Sequence, residues 1–171
     1  DRLEGLLSVW REGSDVRRIN AAAGQQPVPV HEDTRRVLAA ARRLSEATDG
    51  TFDITFGALA DVWKFDHDRD GRVPTADEIA ARLLLVDYRR VRVDDGPGTA
   101  VVDRPGMRVH LGGIGKGFAV DRAVAMLRAA GLRDFLVQAG GDIWLRAEDV
   151  PWPRKTGATI QAPPPSLRMP I

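Results

Sequence analysis

The amino-acid sequence predicts an α+β fold with a mixed or antiparallel sheet and flanking helices. Short runs of β-branched residues at Val91–Val93 and Ala100–Val102, separated by the turn residues Asp94–Gly98, indicate a β-hairpin. A second pair of predicted strands, Phe135–Gln138 and Ile143–Leu145, follows a segment with helical character. This combination of hairpins with a strand–helix–strand order favours an α+β fold over a doubly wound parallel sheet.

Start and stop signals predict three helices before the first hairpin. Ser14–Asn20 has the mixture of polar and apolar residues that is typical of a short helix. The longest predicted helix begins at the capping residues His31–Asp33 and ends near Asp49–Gly50. A third helix begins after Thr75, because Glu78 stands three residues later, which is the spacing of a capping box.

The other predicted elements lie on either side of these helices. Pro27–Val30 is expected to be extended, and Met107–Leu111 is predicted to be a third strand. A helix is predicted over Asp121–Ala130 and ends at Gly131. Residues 1–148 are therefore predicted to be the folded part of the chain. Residues 149–171 are predicted to be an irregular tail, because they are rich in proline and show no apolar periodicity.

Composition excludes several classes of function. The 171 residues include 25 basic and 24 acidic side chains, so the net charge of +1 provides no field for nucleic acid or an anionic membrane. The sequence has no cysteine, which excludes disulfides, thiolate metal ligands and a thiol nucleophile in this chain. No apolar run reaches the roughly 18 residues of a membrane span.

The segment His110–Asp121 is the most informative part of the sequence. Its four glycines and Lys116 lie between an apolar run and a helix-like run. Glycine allows backbone amides to approach an anion closely, and a helix N-terminus and a lysine add positive charge, so the segment suits the phosphates of a nucleotide. The spacing matches neither the dinucleotide fingerprint nor the P-loop, since Gly117 follows the lysine. A tight turn with a solvated lysine is an equally open interpretation.

Several motifs, in the same order and spacing, resemble those of the ApbE family, the FAD:protein FMN transferases. The resemblance covers about residues 3–145. The matching segments are Leu7–Trp10, Ser14–Asn20, Thr48–Thr55, Leu59–Phe65, Val109–Asp121 and Val137–Asp142. No one of these segments is specific alone, but the combination is.

The resemblance implies an ApbE-like, T-fold-related domain that is incomplete here, and an enzyme that binds FAD and Mg²⁺. Such an enzyme cleaves the pyrophosphate and attaches FMN through a phosphoester to a Thr or Ser hydroxyl of a partner flavoprotein. Family members are often exported, periplasmic or membrane-anchored lipoproteins, although this chain does not reveal its own compartment. Two alternatives stay open: a non-catalytic remnant that binds a flavin nucleotide weakly, and a Mg²⁺-dependent FAD pyrophosphatase.

The resemblance also implies roles for individual residues, although it assigns no catalytic residue. Gly113 matches a position whose backbone carbonyl reaches the metal. The residues that match positions beside the flavin or the nucleotide are Trp10, Trp63, Lys64, Phe65, His110, Gly112 and Lys116.

The chain departs from the family pattern in three respects. His110 stands where the family usually has Asp, and Lys64 replaces a common Gly, so both changes add or permit positive charge. The C-terminal family motifs, which supply the side-chain metal ligands, are not found, and the sequence is expected to be truncated at both ends.

Asp66–Gly71 has the spacing of the first half of an EF-hand calcium loop, with Asp77 at the twelfth position. A solvated acidic turn is the favoured interpretation, because no entering helix is predicted and the usual terminal Glu is replaced. The three histidines are scattered along the sequence, which argues against a histidine metal site.

Overall fold

A computed structural model describes residues 2–64 and 70–146. Phe65, most of the predicted acidic loop at 66–71 and the predicted tail at 149–171 lie outside these residues. The chain forms two compact units, Asp1–Gly115 and Lys116–Ile171.

The described residues of the first unit form four α-helices, and the last three begin at the predicted start signals. They are α1 (Arg2–Leu7), α2 (Asp15–Ala21), α3 (Glu32–Ala47) and α4 (Ala76–Leu83). The Oγ of Ser14 caps α2 by accepting the N–H of Arg17. His31 caps α3 through its ring, and Thr75 forms the predicted capping box with Glu78 at the start of α4. Two short 3-10 turns, Gly57–Asp61 and Tyr88–Arg90, complete the helical elements among the described residues of the first unit.

The sheet of the first unit is antiparallel and has three strands in the order β1-β3-β2. These strands are β1 (Val28–Pro29), β2 (Val91–Asp94) and β3 (Thr99–Val102). Val91 pairs with Val102 across the β2–β3 hairpin, which confirms the predicted hairpin.

The core of the first unit lies between this sheet and the helices α2 and α3. Its fully buried apolar side chains include Val16, Ile19, Val37, Leu38 and Val102. Asp15 is also buried, and one carboxylate oxygen of its side chain accepts the backbone N–H of His31 and the hydroxyl of Thr34. A buried carboxylate is tolerated because these hydrogen bonds satisfy it, and they fix α2 against the start of α3.

The structure corrects the prediction of a third strand at Met107–Leu111. The apolar side chains of this segment are buried, but among the described residues it makes one isolated parallel bridge, between Phe56 and Arg108, in place of a strand ladder. The alternating apolar residues that predicted a strand are explained by the burial of their side chains in the core, without strand pairing. The backbone of Val109 is hydrogen-bonded to a side chain instead of to a neighbouring strand.

The second unit contains α5 (Gly115–Ala129) and an antiparallel hairpin of β4 (Phe135–Ala139) and β5 (Asp142–Arg146). The helix begins six residues before its predicted start at Asp121, because Gly115 and Gly117 continue the helical backbone.

The hairpin turn of the second unit needs its two glycines, since Gly140 and Gly141 have φ angles of 58° and 100°. The prediction of a buried strand at Phe135–Gln138 is wrong in part, because Leu136 on β4 is 56% exposed. Trp144 is a packing residue, as its ring stacks on Phe135 with 4.9 Å between centroids.

Candidate functional site

A cavity of about 730 Å³ opens in the first unit. Its wall comes from the loop after α1, one face of α2, the 3-10 turn that begins at Gly57, and the extended segment Arg108–His110. Of the residues that the sequence predicted to contact flavin or nucleotide, the structure brings Trp10, Trp63 and His110 together on this wall.

The wall is mainly aromatic and apolar. Trp10 is 58% exposed and Phe56 is 44% exposed, which is unusual for such large apolar side chains. The rings of Phe56 and His110 lie 5.2 Å apart between centroids and are tilted by 46°. An exposed aromatic cluster in a concave wall is suited to hold a flat, aromatic ligand.

Local hydrogen bonds position the two tryptophans. The hydroxyl oxygen of Ser8 accepts the backbone N–H of Trp10 at 3.1 Å, and Ser14 donates its own hydroxyl proton to the carbonyl of Ser8 at 2.6 Å. Trp63 follows the 3-10 turn, and its N–H donates to the carbonyl of Leu59 at 2.8 Å. The motif that resembles the family opening thus builds a turn that presents an aromatic side chain.

Asn20 connects α2 to the segment that carries His110. Its amide nitrogen donates to the carbonyl of Val109 at 2.9 Å, and its amide oxygen accepts the N–H of Val109 at 2.7 Å. The N–H of His110 donates to the carbonyl of Ile54 at 2.8 Å. The bonds from Asn20 and Ile54 together hold the backbone of Val109 and His110 in place, and so position the histidine at the cavity wall.

The glycine turn after His110 has a close-packed geometry. The backbone N–H of Gly112 donates to Nδ1 of His110 at 3.1 Å, so this ring nitrogen acts as a hydrogen-bond acceptor. A Cβ atom at Gly112 would lie only 2.6 Å from Cε1 of the ring. A larger residue at this position would therefore force the histidine ring to move. Gly113 faces the ring of Phe52, from which an added Cβ atom would be 3.3 Å away.

The polar part of the cavity wall is positively charged. Among the described lining residues there is no Asp or Glu, whereas Arg17 and Arg108 both contribute. Asp61 lies outside the lining and contacts Arg108 at 2.5 Å and Arg82 at 3.2 Å. Within the part of the chain that the structure describes, one carboxylate thus serves two guanidinium groups, so their positive charge is only partly balanced.

The two lysines predicted to contact the nucleotide each make contacts within their own unit. Lys64 follows Trp63 directly but forms an ion pair with Asp70 at 3.3 Å. Lys116 belongs to the second unit, where its side chain lies against the hairpin turn. A Cβ atom added at Gly140 would be 2.6 Å from Cδ of this lysine. In the same unit, burial and the charge of Asp142 raise the pKa of Asp121.

The residues described by the structure do not form a metal site by themselves. They contain no group of three or more His, Asp or Glu side chains that could hold an ion. Gly113, the predicted metal ligand, offers one backbone carbonyl, and hard cations need about six oxygen ligands. Within residues 2–64 and 70–146 no helix has the length and apolar character that a membrane span requires.

The motifs predicted ligand contacts for Trp10, Trp63 and His110, but they gave no such prediction for the other ten residues of the wall. Those ten include Arg17, Asn20, Phe56 and Arg108. One signal was present: Arg17, Asn20 and Ala21 have the spacing of one helix face. For Phe56 and Arg108 the signal is absent, because a long-range bridge brings them together.

A family model described as the ApbE family matches residues 1–164 of this chain. The chain is similar to the FAD:protein FMN transferase of Klebsiella pneumoniae, with 33% identity over 161 residues, which are 94% of this chain and 51% of that protein. It is also similar to the FAD:protein FMN transferase of Treponema pallidum, with 34% identity over 146 residues, which are 82% of this chain and 40% of that protein.

Solved structures of the same kind share the fold. The flavin transferase ApbE from Vibrio cholerae matches with a TM-score of 0.77 and 30% identity, over 84% of this chain and 46% of that one. The ApbE protein from Thermotoga maritima matches with a TM-score of 0.76 and 36% identity, over 84% and 47%. The predicted α+β fold is confirmed, and the chain spans about half the length of these relatives.

Proposed function

The chain belongs to the ApbE family, and on that premise we propose that it is the flavin-binding part of an FAD:protein FMN transferase. The substrate is FAD, and the acceptor is the hydroxyl of a Thr or Ser side chain in a partner flavoprotein. The proposed site is the cavity of the first unit, which carries Trp10, Trp63 and His110. These three residues stand in the motifs that resemble the family.

The single observation that carries this proposal is the chemical character of the cavity wall. Its volume of about 730 Å³ is within the range of sites for cofactor-sized ligands, roughly 300–1,000 Å³. Aromatic side chains offer surfaces for the isoalloxazine or adenine rings, while Arg17 and Arg108 offer charge to the phosphates. A ligand with flat rings and a diphosphate matches both features.

In the proposed reaction the hydroxyl oxygen of the acceptor attacks the phosphorus atom of the FMN half of FAD. A new O–P bond forms, the bond from this phosphorus to the oxygen of AMP breaks, and the hydroxyl proton is released. Phosphoryl transfer of this kind depends mainly on positioning and on charge stabilisation. In the described residues the positioning comes from the cavity wall, and no catalytic base is assigned.

Magnesium dependence is also part of the proposal, with the carbonyl of Gly113 as one ligand. The remaining oxygen ligands do not come from the described residues, which lack a cluster of carboxylates or imidazoles of the required size. A metal held by these residues alone does not fit the requirements of Mg²⁺. We therefore assign no step of the reaction to it.

Titration of the purified chain with FAD, followed by flavin fluorescence and calorimetry, tests the binding part of the proposal. Saturable binding supports it, and the absence of binding at millimolar FAD overturns it. Incubation with FAD, MgCl₂ and an acceptor flavoprotein then tests transfer, read as covalent flavin fluorescence of the acceptor in a denaturing gel.

Three outcomes of the second experiment separate the candidate functions. Covalent labelling of the acceptor supports FMN transfer by this chain. Release of FMN and AMP without labelling supports an FAD pyrophosphatase. Binding without either reaction supports a flavin-binding part that lacks catalysis, which the incomplete metal ligand set of the described residues favours.

A further inference from the structure

Arg17 is placed by α2 on the face of the helix that lines the cavity. Arg17, Asn20 and Ala21 are spaced by three and four residues, so they share this face. On the opposite face Val16 and Ile19 are buried, with 0% and 1% of their surface exposed. The backbone under Arg17 is therefore fixed by the core, and its side chain extends towards the cavity.

The charge of Arg17 is not compensated within the part of the chain that the structure describes. Its side chain forms no ion pair or hydrogen bond there, and its backbone N–H donates to the Oγ of Ser14. The next residue differs, because the guanidinium of Arg18 contacts both Asp15 and the carbonyl of Pro29. Arg108, the other arginine of the wall, contacts Asp61. Arg17 is thus the lining arginine that can give its full hydrogen-bonding capacity to a ligand.

We propose that Arg17 determines specificity for phosphorylated flavins by binding a phosphate of the nucleotide in the cavity. A guanidinium group is charged at all relevant pH values and presents donors that match two oxygens of one phosphate. The aromatic wall alone would accept riboflavin, FMN and FAD through their shared ring system. Arg17 adds a contact that riboflavin lacks. This inference rests on the proposed function of the cavity.

The chain offers a matched control for a test of this role. Arg43 on α3 is also exposed and also makes no side-chain ion pair or hydrogen bond among the described residues, but it does not line the cavity. Arg17→Ala and Arg43→Ala therefore remove the same charge from two helices, and only the first removes it from the wall.

The experiment measures the Kd of riboflavin, FMN and FAD for the unsubstituted chain, Arg17→Ala and Arg43→Ala at two salt concentrations. We expect Arg17→Ala to weaken FMN and FAD roughly tenfold while riboflavin stays unchanged, because one charge-assisted hydrogen-bonded contact at a partly exposed site is lost. Arg43→Ala should change none of the three. The loss for FAD should shrink at higher salt, since the contact is between charges.

Two further outcomes overturn the inference in different ways. Equal losses for riboflavin and FAD in Arg17→Ala, or no loss for any ligand, would show that Arg17 does not recognise phosphate, while binding by the unsubstituted chain would keep the proposed function. Failure of the unsubstituted chain to bind FAD or FMN would remove the proposed function and the role of Arg17 together. The melting temperature of Arg17→Ala is measured as a control. A value equal to that of the unsubstituted chain shows that both proteins are folded when their affinities are compared.

Discussion

The side-chain amide of Asn20 makes two hydrogen bonds to the backbone of Val109, which lies 89 residues further along the chain. Its nitrogen donates to the carbonyl and its oxygen accepts the N–H, so it takes the place of a neighbouring strand. Because His110 follows directly, the same pair of bonds positions the histidine at the cavity wall.

We expect Asn20→Ala to lower the free energy of unfolding by about 1–3 kcal/mol, since it leaves a buried N–H and a buried carbonyl of Val109 without partners. Urea denaturation monitored by circular dichroism measures the loss. Gln25→Ala is the control, because the amide of Gln25 makes one long, exposed hydrogen bond of 3.4 Å and its removal should stay within about 0.5 kcal/mol. Equal stability of the two variants would contradict the structural role of Asn20.

Gly57 allows the 3-10 turn to lie against the segment that carries His110. A Cβ atom at this position would lie 2.7 Å from the carbonyl oxygen of Arg108. Arg108 also forms the isolated β-bridge with Phe56, the residue before Gly57. We expect Gly57→Ala to destabilise the protein by about 1–3 kcal/mol, because the two backbone segments must separate. It should also weaken FAD binding if the proposed site is correct.

Gly5→Ala is the matched control for this substitution. Gly5 lies in α1, and an added Cβ atom would have no neighbour within 4 Å. Alanine should therefore leave the stability unchanged or raise it by up to about 1 kcal/mol, as expected in a helix. Differential scanning calorimetry of both variants gives the comparison, and a Gly57→Ala melting temperature at or above that of Gly5→Ala would refute the close-packing argument.

Trp10 is more exposed than a packing role would require, and it lines the proposed flavin site. Trp10→Ala should weaken FAD binding roughly three- to tenfold through loss of ring stacking, with little change in the free energy of unfolding. Trp10→Phe keeps an aromatic ring and should recover most of the affinity. Flavin fluorescence titration measures both effects. Identical affinities of the alanine and phenylalanine variants would show that the ring does not contact the ligand.

Glu78 in the capping box of α4 should make this helix sensitive to acid. The backbone N–H of Thr75, followed by the guanidinium of Arg72 and the hydroxyl of Thr75, lowers the pKa of Glu78 from 4.5 to about 2. A lowered pKa in the folded state means that the stabilisation is complete above pH 4.5 and is lost as the pH falls towards 2. An NMR titration of the Glu78 carboxyl should therefore have its midpoint near pH 2.

Two substitutions test whether protonation of Glu78 destabilises α4 in acid. Glu78→Gln should remove the acid-dependent loss of α4 amide protection between pH 4.5 and 2. Asp77→Asn changes the charge by the same amount one residue earlier and leaves the capping box intact, so the acid-dependent loss should persist. Persistence of that loss in Glu78→Gln would show that another group causes it.

Local signals in the sequence were sufficient to predict elements whose hydrogen bonds join residues close together in the chain. The capping box at Thr75, the turn between β2 and β3 and the cap at Ser14 involve residues within a few positions of one another. The geometry of these hydrogen bonds is set by residues close in sequence, which is why the predicted bounds are confirmed there.

The predicted strand at Met107–Leu111 was wrong for the opposite reason. Its apolar pattern records burial, and both strands and irregular segments bury alternate residues when they cross a core. Among the described residues its bridge partner is Phe56, which lies 52 positions before Arg108, and the bonds of Val109 are made by the Asn20 side chain. The sequence of the segment itself contains no pattern that predicts hydrogen-bond partners so distant in the chain.

Within this protein the sequence alone determined the α+β class, the starts of α2, α3 and α4, the hairpin and the motifs that carry the family resemblance. Each of these depends on residue types at short spacing, where backbone geometry and capping chemistry leave few alternatives. Only the tertiary structure decided that Trp10, Trp63 and His110 share one cavity wall. It also decided that Arg17 and Arg108 give this wall its positive charge. Lys64, which the sequence predicted to contact the nucleotide, forms an ion pair with Asp70. Those outcomes depend on contacts between distant segments, and the packing of the core selects them.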